Sequence, residues 1–103
     1  GSNRIEEIRL AKTWRQLHNL EFPSFYLEMA VIDSLKYTTV GNLSVNFLKV
    51  LEFFRDSLPT TRYVDPANTN NIISDDLNAI QKTTISSQAR LSRNQQTWRG
   101  IVW

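Results

Sequence analysis

The stretch IRLAKTWRQLHNLEFPSFYLEMAVI, residues 8–32, decides the fold, because it reads as two helices broken at Pro23. At about 100° per residue, Leu10, Trp14 and Leu17 make one stripe of the first helix. Ile5, Ile8 and Lys12 fall on nearly the opposite side. A helix at the edge of a small domain needs one apolar face, so the second stripe calls for a partner outside the domain. The second helix enters at Pro23 and Ser24. It ends near Leu35, where KYTTVGN supplies β-branched residues and a glycine. It is apolar nearly all round, which predicts the central helix of the domain. Glu28 stands on its inner side with Ser24, Val31 and Leu35, and is expected to be a buried hydrogen-bond acceptor, since an unpaired carboxylate there is costly.

Working outward, Asn3 and Glu6 form a capping box for the first helix, which runs to about His18. Ser44 caps a third helix, whose Phe47, Leu48, Leu51 and Phe54 line one apolar stripe up to Pro59. SDDL opens a fourth, with Ser74 as cap and Asp75 and Asp76 in the first turn, where the helix dipole favours carboxylates. This helix extends to about Ser92 and carries Leu77, Ile80 and Thr84 on one side. Between the last two helices lies RYVDPANTNN, residues 62–71. Its Asp and Asn side chains are expected to bond back to the backbone around Pro66, giving a rigid loop without a site role. Trp98 and Trp103 are expected to close the core, their N–H groups meeting carbonyls. The fold class is all-α: a small bundle of about four helices with one long structured loop.

A chain of 103 residues makes one domain. It contains no cysteine, which removes disulfides, thiolate nucleophiles and zinc–thiolate sites. No apolar run approaches the roughly 20 residues of a membrane span, and no secretory signal opens the chain, so a cytoplasmic location without a membrane partner is expected. Gly1 and Ser2 read as the remnant of a cleaved tag, leaving residues 3–103 as a domain that begins inside a longer protein. A formal charge of +2, with basic and acidic residues mixed, does not describe a nucleic-acid surface. His18, the single histidine, has no neighbouring ligand set for metal or acid–base work.

The paired helices carry a resemblance. Lys12 and Trp14, a loop, then Pro23, Phe25, Leu27 and Glu28 resemble the helix pair in the C-terminal half of the 2′-5′ oligoadenylate synthetases. The same pattern runs through their relatives, the cyclic GMP-AMP synthase-like bacterial cyclic-oligonucleotide synthases. Asp65, Pro66, Asn70 and Asn71 are similar to that family's Asp-Pro-x-x-x-x-Asn-Asn, and the ending TWRGIVW is similar to its tryptophan-rich end. The motifs occur in the family's order over nearly the whole chain.

The resemblance implies a donor-nucleotide site. Lys12 would reach the triphosphate, Ser24 would assist it, and Phe25 would stack on the base. An ammonium, a hydroxyl at a helix start and a phenyl face suit those roles. Phe25 stands where the family often has Tyr, which keeps stacking and removes a hydroxyl bond. On residue chemistry alone, Lys12 reads as a snorkelling surface cation, Ser24 as a cap and Phe25 as core. The family's catalytic signature, a Gly-Ser loop followed by Asp-x-Asp with a third Asp, is missing from the chain. No catalytic residue is therefore assigned, and the chain alone is expected to be inactive. The expected partners are nucleoside triphosphates and the N-terminal catalytic half of the same protein, which would bring the Mg ions; no metal is expected on this chain. The implied function is the nucleotide-binding helical half of an enzyme making a cyclic or linear oligonucleotide messenger, of the type that serves antiphage signalling in bacteria. The alternative is a non-enzymatic interaction module that docks a protein through Ile5 and Ile8.

Overall fold

A computed structural model describes residues 4–38, 42–61, 63–65, 67–73, 77–95 and 101. Among the described residues, four helices carry the fold: α1 (Ile5–Leu17), α2 (Ser24–Ser34), α3 (Leu43–Asp56) and α4 (Ala79–Arg93). The all-α expectation holds. The long loop before α4 opens with a 3-10 turn, Leu58–Thr60, and then folds into a small antiparallel hairpin of β1 (Val64–Asp65) and β2 (Asn68–Ile72). Val64 pairs with Ile72 and Asp65 with Asn68, with an irregular step between the two pairs. The loop is thus ordered through backbone pairing. The side-chain bonds expected of Asp65, Asn70 and Asn71, and Pro66 itself, lie outside the described residues.

Helix ends fall on different side chains from those expected. The N-cap position of α1 is Arg4, which makes no side-chain cap bond; Asn3 lies outside the described residues. The other end of α1 closes on Asn19 at φ 54°, a left-handed position that Asn tolerates. The N–H groups of Asn19 and Leu20 reach back to the carbonyls of Gln16 and Arg15 at 3.2 and 3.0 Å, the double bond of a Schellman ending. At the start of α3, Asn42 Oδ1 accepts from Val45 N at 2.8 Å, so the cap is Asn42 and Ser44 sits exposed in the first turn. In α4, Asn78 and Gln81 form a reciprocal capping box with both bonds at 2.8 Å. The helix therefore begins later than the SDDL motif suggests, and Ser74, Asp75 and Asp76 lie outside the described residues. Several Ser, Asn and Asp residues near each start are chemically able to cap. Tertiary packing selects the one that leaves the helix's apolar side toward the core.

The hub of the domain is α3, not α2, since α3 packs against all three other helices. Its Phe47, Val50, Leu51 and Phe54 are fully buried and Leu48 half-buried, which matches the expected stripe. A row of aromatic rings crosses the core from α1 to the loop. Trp14 meets Phe54 at 5.7 Å, Phe54 meets Phe22 at 5.3 Å, Phe22 meets Tyr26 at 5.4 Å and Tyr26 meets Tyr63 at 5.6 Å. Such contacts contribute about 0.5–1.5 kcal/mol each beyond their buried area. Trp14 Nε1 donates to Ser92 Oγ at 3.0 Å, tying α1 to α4. Trp98 and Trp103 lie outside the described residues.

Three faces differ from the expectation. On α1 the buried residues are Glu7, Ala11 and Trp14, with Ile8 and Leu10 half-buried beside them and Ile5 and Leu17 exposed at the ends. The two stripes are shoulders of one wide face centred on Glu7 and Ala11. Among the described residues Glu7, only 6% exposed, is the buried carboxylate. It accepts from Asn46 Nδ2 at 2.9 Å and faces Arg4, whose Nη2 in turn bonds the carbonyls of Leu35 and Thr38. Glu28, expected in that role, is half-exposed and pairs with Lys12. On α2 the apolar Phe25 and Ile32 point outward. On α4 the buried face is Ile85, Ala89 and Ser92, while Ile80 and Thr84 are exposed; Leu77 is buried just before the helix begins.

Candidate functional site

Two helical turns build the outward side of the α1–α2 pair. Ile5 and Lys12 are seven residues apart on α1, and Phe25 and Ile32 are seven apart on α2, so each couple shares one face of its helix. Glu28 lies between Phe25 and Ile32. Its Oε1 stands 3.8 Å from Lys12 Nζ, which brings the two faces side by side. Each of these two side chains keeps more than a third of its surface exposed.

Ser24 is the first residue of α2, and the N-cap position falls on Pro23 with no side-chain cap bond. The hydroxyl is therefore not a cap. Instead, Ser24 Oγ accepts from Arg15 Nη1 at 3.0 Å, and the same nitrogen donates to the Phe22 carbonyl at 2.7 Å. Arg15 splints the α1–α2 connection and holds a second cation one turn along from Lys12. Sequence reasoning passed over Arg15. Its signal was the i, i+3 spacing from Lys12 on the side of α1 that faces the loop. Phe25, next to Ser24, is 52% exposed, so its ring is not part of the core.

The structure thus places all three expected site residues on the α1–α2 side, with Arg15 and Glu28 among them. The arrangement offers two cations, one hydroxyl and an open aromatic face, which suits an anionic ligand bearing a flat ring. Glu28 opposes this, because an incoming anion must take Lys12 from it. Among the described residues, no group of three or more His, Cys, Asp or Glu side chains could hold a metal ion. Nor is any described helix long and apolar enough to cross a membrane. Compared with known proteins, the chain matches no family model, no curated protein and no solved structure.

Proposed function

We propose that the chain is the donor-nucleotide-binding helical half of a cytoplasmic nucleotidyltransferase that makes a cyclic or linear oligonucleotide messenger from nucleoside triphosphates. The observation that carries this reading is the exposure of Phe25 beside Ser24 on the side of the fold that also bears Lys12. A ring buried in the core could not stack on a base. In this reading Lys12 and Arg15 draw in the triphosphate, Ser24 adds a hydroxyl, and Phe25 takes the base. The catalytic half of the protein covers Ile5 and Ile32 and supplies the carboxylates that hold Mg; the described residues offer no such set. The same exposed Ile5, Phe25 and Ile32 favour the second reading, a protein-interaction module, because apolar side chains gathered on one open face mark docking surfaces.

Titrating the chain with ATP and GTP while following backbone amide shifts separates the two. The nucleotide reading expects shifts at Lys12, Ser24 and Phe25. Lys12→Ala should weaken binding roughly tenfold to a hundredfold, the loss of a charge-assisted contact of about 1.5–3 kcal/mol. Glu28→Gln should tighten it, since it releases Lys12. Melting should hardly change in either variant, because an exposed ion pair contributes about 0–1 kcal/mol. Shifts that miss this face, or equal binding by Lys12→Ala, would sink the nucleotide reading and withdraw Ser24 and Phe25 with Lys12. A Gly-Ser followed by Asp-x-Asp in the upstream coding sequence would support it independently.

A further inference from the structure

The outward side of α4 carries an uncharged stripe. Ile80, Thr84, Ser87 and Leu91 are exposed, Ile80 by 77% and Leu91 by 58%. At about 100° per residue they fall within an arc of about 60°. The charged residues of α4, Lys82, Arg90 and Arg93, lie outside that arc, and Arg93 is held by Glu52 at 2.8 Å. A groove of about 530 Å³ follows the stripe, with His18 and Leu20 forming a wall. That wall is anchored, since His18 Nε2 meets the Ile101 carbonyl at 2.9 Å.

The stripe reads alike in both directions. Ile80 and Leu91 are equally far from the midpoint between Ile85 and Ser86, and so are Thr84 and Ser87. The order is therefore large apolar, small hydroxyl, small hydroxyl, large apolar. A twofold contact requires a patch that complements itself, and a stripe with this symmetry does so when two helices run antiparallel.

We propose that α4 is a self-association surface, on which a second copy of the chain lays its own α4 antiparallel. Ile80 then meets the second copy's Leu91, and Thr84 meets its Ser87. The small central pair lets the helix axes approach closely, and the apolar ends fill the groove beside them. Charge permits the contact. The stripe has none, and the two copies of Arg90 stand about 13.5 Å apart along the axis at about 1.5 Å per residue, farther than the screening length of about 8 Å at physiological salt. Four exposed side chains on one helix make a smaller patch than the roughly 20–30 residues a side of a standard interface, so association is weak. It is independent of nucleotide binding at Lys12.

Sedimentation equilibrium on the chain, from micromolar to millimolar protein, should show a monomer–dimer equilibrium. Ile80→Glu and Leu91→Arg are surface changes that should leave melting unaltered, and each should weaken association roughly tenfold or more. Mixed in equal amounts, the two variants should associate again. One contact of the mixed dimer then pairs the introduced carboxylate with the introduced guanidinium, and the other keeps Ile80 against Leu91. A strict monomer at millimolar protein would overturn the proposal, as would a dimer indifferent to both changes or a mixture no stronger than either variant alone. A dimer abolished by Phe25→Asp and not by Ile80→Glu would assign association to the α1–α2 face and overturn it equally.

Discussion

Ser92 Oγ is a single hydroxyl that serves two donors, Trp14 Nε1 and Gln88 Nε2, both at 3.0 Å, in a fully buried position. Removing it leaves an indole N–H without an acceptor in a dry core. Ser92→Ala should therefore cost about 1–3 kcal/mol, the penalty for stranding a buried donor. Urea unfolding of wild type and variant measures this, and an unchanged midpoint would show that the indole finds another acceptor. The pair also explains how a tryptophan becomes fully buried in a small domain. Its ring packs on Phe54 while its polar edge meets the smallest hydroxyl side chain, contributed by the helix on the far side of the core.

Among the elements, α3 is decided by its start. Asn42 Oδ1 takes the Val45 N–H, whereas Ser44 is exposed within the first turn. Asn42→Ala should cost about 1 kcal/mol, the usual loss of an N-cap. Ser44→Ala should stay within about 0.5 kcal/mol, as surface changes away from such features do. Thermal melting of the two variants decides between the caps, and the reverse order of losses would restore Ser44. Because α3 packs on the three other helices, fraying at its first turn should also loosen the nearby bond from Asn46 to Glu7 on α1.

At the scale of the whole molecule, the hairpin loop is tied to the bundle through Tyr63. Its ring packs on Tyr26, and its hydroxyl donates to Asp33 Oδ2 on α2 at 2.9 Å. Burial, and then the bond to the Asp33 carboxylate, push the Tyr63 phenol far above its ordinary value. The folded protein thus keeps Tyr63 neutral where the unfolded chain ionises it, above about pH 10. The stability from this contact is whole below that pH and is lost as pH rises beyond it. Unfolding free energy measured across alkaline pH should fall, and Tyr63→Phe should flatten the decline while costing about 1–2 kcal/mol at neutral pH. An identical alkaline slope in both proteins would remove Tyr63 as its source.

The sequence by itself determined the number of helices, the break at Pro23, the apolar stripe of α3 and a structured segment before α4. The helices and the break follow from local signals, helical periodicity and the fixed φ of proline, whereas the segment before α4 is ordered by the pairing of β1 with β2. The sequence also singled out Lys12, Ser24 and Phe25, of which Lys12 pairs with Glu28 on α2, Ser24 with Arg15 on α1, and Phe25 stands exposed. Only the tertiary structure decided which polar groups are buried. Glu7 and Glu28 both sit in helices with apolar neighbours, but Glu7 faces α3, where Asn46 can meet it, and Glu28 faces outward to Lys12. The hub role of α3 and the outward side of α4 were equally invisible. An amphipathic pattern says that a helix has an inside, whereas the direction of that inside, and which capping side chain starts the helix, depend on neighbours distant in the chain.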